Sequence, residues 1–577
     1  MLKSVSFRNI CMHGDLAVRS GLNYSRLEGT WYRPEEVFKA DSHGWPGDWE
    51  GRVILALTLL SQSTHRPGAY LDEIMEKVPV HLNAKGYFGT TLPDGVFDEQ
   101  HFGGHSWMLR ALSEYVKLTE SKKALEMLST MVTNFLLPAS GAFAKYPITP
   151  GLRFQEPGPW LLSKLQTKTK HHAETSDAGC AFIMIDGATA AYELLRWDPL
   201  RRLVEEMIDR FMEMDLMALN IQTHATLSAT RGMIRFFELT GDAKYLNMAR
   251  SRYELYRGSA WTEGYGNYNW FGAPRWTEPC AIIDSFIAAT LLWKHTKDAG
   301  YLRDAHLIYY NALSHGHRIN GSFGTDRCLG AEQAEDNLFL SPINYETYWC
   351  CTMRGGEGFS RAIEYSFFTE GNSVYVPFFH NCEAVLDLED GTLELMERTG
   401  YPCQGDVHLV IRKASPGFYA KIRLFVPPWA EESRVALNGS VLPVTPEGGF
   451  IQVSGCFSAG DEITLHMDMS VRVEDAMIHN QRGRHKFLYG PMLLGVKVKT
   501  QLDSLDGNRF ENYAEGRYKA AGRVFIPKDA VIDRRGDWEF SVQGTDMVLT
   551  TLCSVRDMTC EDTMRQVLFE DEREELQ

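Results

Sequence analysis

The chain has 577 residues, too many for one ordinary core, so two to four domains are expected. Hydrophobic residues make up 44% and charged residues 23%, the balance of a soluble globular protein. The net charge of −16 argues against nucleic acid or an anionic membrane as a partner.

The 13 Trp and 24 Tyr read first as core, although rigid amphipathic rings also line sites for polyhydroxylated ligands. Met1 to Arg8 lacks the apolar stretch of a secretory signal. The most apolar helical run, Cys280 to Trp293, is interrupted by Asp284 and is too short to span a bilayer. Eleven cysteines, odd in number and irregularly spaced, read as reduced thiols, so a cytoplasmic protein is expected.

Residues 1–30 are irregular in pattern. From Trp49 to Leu60, Val53, Leu55, Ala56, Leu59 and Leu60 recur at helical spacing. A helical hairpin follows from His105 to Phe135, with its turn at Thr119-Glu120-Ser121-Lys122-Lys123. That turn recurs at Leu239 to Leu246 and at His295 to Leu302, each time with Ser or Asp placed to cap the second helix. Repeated hairpins of this kind predict an all-α array, and a dozen or so helices between residues 40 and 367 favour a closed (α/α)6 barrel over an open solenoid scaffold. Residues 138–180, with Pro138, Pro147, Pro150, Pro157 and Pro159, break the rhythm and end near His171-His172. They read as a rim loop over the barrel mouth or as a floppy insertion.

After Phe367 short strands alternate with turns, and Asn438-Gly439 is a hairpin signal. The expected layout is a catalytic barrel over 1–367, a β-sandwich over 368–474 and a second over 475–577, ending in a frayed acidic tail from Glu570.

The chemistry concentrates in three pieces: Trp261-Thr262-Glu263-Gly264-Tyr265-Gly266, Trp276-Thr277-Glu278-Pro279-Cys280, and Tyr348-Trp349-Cys350-Cys351. Pro279 pushes Glu278 into an extended conformation and suits the first turn of a helix. Three thiols and one carboxylate, Glu278, make a full tetrahedral ligand set for zinc. A zinc-bound thiolate is deprotonated at neutral pH, as a sulfur nucleophile requires. Attack on an anomeric carbon needs an acid for the departing oxygen. Glu263, among Trp261, Tyr265, Tyr268 and Trp270, is placed to have a raised pKa. Each signal also has a bland reading: inert buried thiols, a helix-capping Glu278 and a solvated Glu263.

Glu263, then Glu278-x-Cys280, then Cys350-Cys351, resembles glycoside hydrolase family 127. His105 in Gly104-His105-Ser106-Trp107 and His224 in Thr223-His224-Ala225 look like family pocket histidines, and the strand patterns around Gly460–Leu465, Met469–Val471 and Tyr489–Leu493 match as well. The resemblance implies an (α/α)6 barrel with β-sandwich domains and retaining β-L-arabinofuranosidase activity. It further implies Cys350 as nucleophile, Glu263 as acid/base, and Glu278, Cys280, Cys350 and Cys351 as ligands of Zn2+. His105, His224, Trp261 and His306, the last near where the family places a sugar-binding glutamate, are the expected sugar contacts. The chain departs from the family at Ala188, where a histidine is expected, at Pro279 within Glu-x-Cys, and at Thr352-Met353-Arg354 after the cysteine pair. Those departures make the reaction type firmer than the sugar.

Two other classes fit the same residues: a lyase or sugar epimerase on an α-toroid, and a non-catalytic carbohydrate-binding protein with structural zinc. The expected partner is a glycoside or oligosaccharide, and a homodimer is the assembly left open.

Overall fold

Among the described residues, twelve α-helices longer than two turns carry the N-terminal two thirds of the chain, and their burial sorts them into two rings. The structure, a computed structural model, describes residues 2–571 except 40–43, 69, 93–96, 151–165, 170–171, 175–176, 332–336, 344, 478–482, 503–517, 521, 556–557 and 559–563. In chain order the helices are α1 Gly14–Leu27, α2 Asp48–Ser63, α3 Leu71–His81, α4 Glu99–Thr119, α5 Lys122–Met131 and α6 Met184–Leu195. The series continues with α7 Asp198–Met212, α8 Thr223–Thr240, α9 Ala243–Ser259, α10 Pro279–Thr296, α11 Ala299–Leu307 and α12 Cys351–Glu364.

The even-numbered helices pack in sequence, α2 on α4, α4 on α6, and so on to α12, which returns to α2. The ring is closed. Each inner helix has an odd-numbered helix outside it, with α1 backing α12. Sequence explains the sorting: α2 and α10 are buried almost all round, whereas α7 buries one stripe, Leu200, Leu203, Val204, Met207, Ile208 and Phe211. Close approach within the inner ring depends on glycine. A Cβ on Gly51 of α2 would lie 2.4 Å from the Met108 backbone nitrogen of α4, and one on Gly232 of α8 would lie 2.6 Å from that of Asp186 on α6.

The expected (α/α)6 barrel is therefore present, with its repeated turns in place. Ser121, Asp242 and Asp298 cap α5, α9 and α11, accepting from the backbone N–H groups of Ala124, Lys244 and Gly300. By length and hydropathy the run Lys122–Lys145 would pass for a membrane span. It folds instead against the barrel, with Ala124, Leu128, Met131, Val132 and Phe135 buried. Much of the Pro-rich 138–180 segment, including His171, lies outside the described residues. Its described part includes strand Gln166–Thr169, antiparallel to strand His172–Glu174, which in turn runs parallel to Phe97–Asp98 at the start of α4.

Beyond the barrel, a five-stranded and a seven-stranded sheet form the middle domain. Strand Cys382–Asp387 shows the expected alternation, with Cys382, Ala384 and Leu386 inward. The chain terminus contributes here: Lys3–Ser4 pairs with Phe368–Glu370, and Ile10–Met12 pairs with Cys382–Asp387. Among the described residues the last region carries a branched nine-stranded sheet and a two-stranded one, Thr500–Leu502 with Tyr518–Ala520, and the larger sheet recruits Phe339–Leu340 from the barrel region. Among the described residues four strands cross the boundaries of the expected layout 1–367, 368–474 and 475–577: Lys3–Ser4, Ile10–Met12, Phe339–Leu340 and Val471–Asp475, the last pairing with Arg484–Tyr489. The last residues of the acidic tail, 572–577, lie outside the described residues.

Candidate active site

The N-terminal ends of five inner helices meet at one cavity. Its lining includes Asp48 at the start of α2, Ile183 before α6, Gln222 before α8, Glu278 before α10 and Cys350 before α12. Helix N-termini favour negative charge, so this mouth is suited to thiolates and carboxylates. Trp45, Trp270, Trp276 and Trp349 supply aromatic walls.

Local sequence places the sulfurs. Glu278 is extended (φ −119°, ψ 114°), and Pro279 opens α10, as its sequence position predicts. The Glu278 N–H donates to Asn267 Oδ1 at 3.1 Å, which fixes the approach to Cys280. The Cys350 N–H donates to the Thr347 carbonyl at 3.3 Å, and this tight turn lets neighbouring cysteines face one point. Cys280 Sγ lies 3.8 Å from Cys351 Sγ, and Cys350 Sγ lies 3.3 Å from Cys351 Sγ. The three sulfurs all fall within 4.8 Å of one another. Tetrahedral zinc with Zn–S bonds near 2.3 Å holds its sulfurs about 3.8 Å apart, so the donor set fits the ion. Glu278 carboxylate oxygen, a His224 ring nitrogen and Cys280 Sγ form a second group on the same scale.

Charge at the sulfurs is organised by their neighbours. Burial pushes the Cys280 thiol up, but hydrogen bonds from Cys350 and Cys351, with the charges of Arg52 and His224, hold it well below the ordinary range. Cys350 is pushed well up, chiefly by its hydrogen bond to Cys280, and Cys351 is pushed up by burial first. The trio therefore prefers one shared negative charge. Arg52 anchors it, donating to Cys280 Sγ at 3.5 Å, pairing with Asp48 at 2.8 Å and lying 4.0 Å over the Trp107 ring. His224 Nδ1 stands 3.3 Å from Glu278, and Nε2 stands 3.6 Å from Asp284. Burial opposes its charge, but Glu278, Cys280 and Asp284 outweigh that and raise its pKa. Below the site, Arg110, Arg231 and Arg354 interlock with Asp186, Asp284 and Glu357 in the barrel core.

The expected residues divide sharply. Glu278, His224, Cys350 and Cys351 line the cavity, with Cys280 beside them. Glu263 is not brought there. It is fully buried and paired with Lys486 Nζ at 2.8 Å, across the junction with the last domain. Trp261 packs on Tyr265 with Arg257 over its ring and is not among the residues that line the cavity. His105 is a core residue: Nε2 accepts from the Phe88 N–H at 3.0 Å, and Nδ1–H donates to the His101 carbonyl at 2.8 Å. Burial first, then His101, lowers its pKa to about 3, so it stays neutral. His306 is likewise consumed. Nε2–H donates to the Pro377 carbonyl at 2.8 Å, and Nδ1 accepts from the Tyr401 hydroxyl at 3.1 Å.

Asp177 is a lining residue that the sequence pattern did not flag. Burial first, then the charge of Glu278, pushes its carboxyl up to about 7. A buried acid near neutrality in an aromatic cavity has the properties of a general acid/base. Asp48, Gln222 and Trp45 were missed too, yet they share a signal, lying at or just before the start of an inner helix.

Glu263 and Lys486 give the first testable consequence. Glu263→Gln leaves a buried ammonium without its carboxylate and is expected to cost about 3–5 kcal/mol in urea unfolding. The double variant Glu263→Gln/Lys486→Met should recover most of that loss. A change below 1 kcal/mol in the single variant would contradict the buried pair.

Residues 373–469 match the family model for the middle domain of GH127 β-L-arabinofuranosidases. No curated protein matches the chain. Three solved structures share its fold along nearly the whole length. A β-arabinofuranosidase of family 127 is 14% identical, with a TM-score of 0.67 over 99% of this chain and 98% of its own. A glycoside hydrolase is 13% identical, with a TM-score of 0.71 over 99% and 98%. A GH127 β-L-arabinofuranosidase from Geobacillus stearothermophilus T6 is 14% identical, with a TM-score of 0.67 over 98% and 100%. The family resemblance carried by the three motif pieces is thus supported independently, by the middle-domain match and by the fold.

Proposed function

We propose that the protein is a retaining glycoside hydrolase of the family 127 type, removing a terminal furanose, with a β-L-arabinofuranoside as the first substrate to test. The observation that carries this reading is the convergence of three sulfurs on an aromatic-walled cavity that also holds a carboxyl poised near neutrality. The names of the similar structures supply the sugar; the cavity supports the reaction class.

Cys280, Cys350, Cys351 and Glu278 would hold zinc, which when bound keeps thiolates deprotonated at neutral pH and fixes their geometry. Cys350, half-buried where Cys280 and Cys351 are buried, is the sulfur best placed to meet substrate. Its sulfur forms a bond to the anomeric carbon as the bond to the leaving oxygen breaks. Asp177 donates its proton to that oxygen, and the aglycone departs. The Asp177 carboxylate then takes a proton from water, whose oxygen displaces the Cys350 sulfur from the same carbon. Two displacements retain configuration. Asp177 replaces Glu263 in this scheme because Glu263 is held by Lys486.

Zinc analysis provides the direct test of the centre. The purified protein should carry about one zinc per chain, and stripping it with a chelator should abolish hydrolysis of nitrophenyl β-L-arabinofuranoside and lower the melting temperature. Full activity in a zinc-free sample would end the proposal. Activity on pyranosides alone would keep the chemistry and replace the sugar.

A further inference from the structure

An aromatic track leads out of the cavity. Trp349 lines the cavity wall, and the Tyr348 ring meets it edge-on at 4.9 Å. Trp31 stacks on Tyr348 at 4.7 Å with an interplanar angle of 21°. Trp31 is 44% exposed, unusual for the largest side chain, which folded proteins usually bury.

The track is braced rather than loose. The Tyr32 hydroxyl, beside Trp31, lies 3.2 Å from both the Glu346 carboxylate and the Tyr348 carbonyl, which share its one proton. Glu346 also accepts from Arg26 at 2.9 Å and from the Thr352 hydroxyl at 3.3 Å, one residue beyond Cys351. The support that holds Trp31 and Tyr348 therefore also holds the turn bearing the thiols. The stacking covers the inner face of Trp31 and leaves the outer one open; an aromatic face flanked by polar groups suits a sugar ring, which presents its C–H face to the aromatic and its hydroxyls to the flanks. Two ring-to-ring steps separate Trp31 from the cavity wall, and Trp31 is not among the residues that line the cavity.

We infer that the outer face of Trp31, held in place by Tyr348, forms a distal subsite for the leaving portion of the substrate, and that this portion is an oligosaccharide. This deepens the reading of the thiol cavity as a glycosidase and rests on it. Remote binding energy of this kind is spent on orienting the scissile bond, so it shows in kcat/KM for long substrates.

The test compares a β-L-arabinofuranosyl trisaccharide with nitrophenyl β-L-arabinofuranoside on the wild type, Trp31→Ala and Trp31→Phe. The ratio of kcat/KM, trisaccharide over aryl glycoside, should fall about tenfold in Trp31→Ala and recover largely in Trp31→Phe. An unchanged ratio overturns the subsite, as does an equal loss on both substrates, which would mark a general apolar contact. Calorimetric binding of the same trisaccharide to wild type and Trp31→Ala decides independently of turnover. Weakening by about tenfold supports the subsite even where hydrolysis fails and the glycosidase reading falls, and equal affinity rejects it.

Discussion

Cys350→Ala should lower kcat on nitrophenyl β-L-arabinofuranoside by a factor on the order of 10⁴ or more, the scale on which removal of a covalent nucleophile acts. The same variant should stay folded, because Cys350 is the half-buried member of the trio and its removal leaves Cys280, Cys351 and Glu278 in place. Cys280→Ala is expected to behave differently. That sulfur is fully buried, receives the Arg52 guanidinium and carries the favoured charge, so its loss leaves Arg52 and His224 less well compensated and should depress the melting temperature first. Measuring kcat, melting temperature and bound zinc on both variants separates the possibilities. A purely structural zinc would make Cys350→Ala lose stability and activity in proportion. A lyase or epimerase working from histidine and tyrosine would keep turnover in the variant and so refute the nucleophile.

The features legible in the sequence are those encoded locally. The hairpin turns announced themselves because each needs Ser or Asp at one position to cap the following helix, and Ser121, Asp242 and Asp298 all do so. Glu278-Pro279-Cys280 was readable because proline restricts its predecessor and suits the first turn of a helix. The cysteine pair joins Cys280 because α10 and α12 are neighbours in the closed ring, a consequence of the repeat. Residues whose partners come from outside their own helix or turn, with no repeat to announce them, were not legible. Glu263 sits among aromatic residues that suit a cavity wall, but its fate is set by Lys486, 223 positions away. His105 resembles a pocket histidine on its helix, yet a loop N–H from Phe88 consumes it. Lys3–Ser4 and Ile10–Met12 look irregular because strands of two and three residues carry too little alternation to be seen. Asp177 follows a Pro-rich stretch without periodicity, so only the fold could place it at the cavity.

That placement makes Asp177→Asn the sharpest remaining test of the mechanism. With its carboxyl pushed up to about 7, the wild-type side chain is mostly protonated below that pH and mostly ionised above it. The first step needs the proton, so kcat/KM should hold on the acid side and fall as pH rises through about 7. Asparagine can neither give nor take the proton, and the alkaline decline should disappear with the bulk of the rate. Loss of a general acid costs typically 10²–10⁴-fold, and the size depends on the leaving group. A nitrophenolate leaves with little help, so kcat/KM there should drop toward the lower end, whereas a sugar leaving group should show the full effect. Glu263→Gln, measured on the folded fraction, should leave both the pH profile and the leaving-group dependence as in wild type. If instead Asp177→Asn keeps the alkaline limb and Glu263→Gln loses it, the proton comes from Glu263. The pair with Lys486 would then have to open during turnover, at the cost of leaving both charges without their partner in the protein interior.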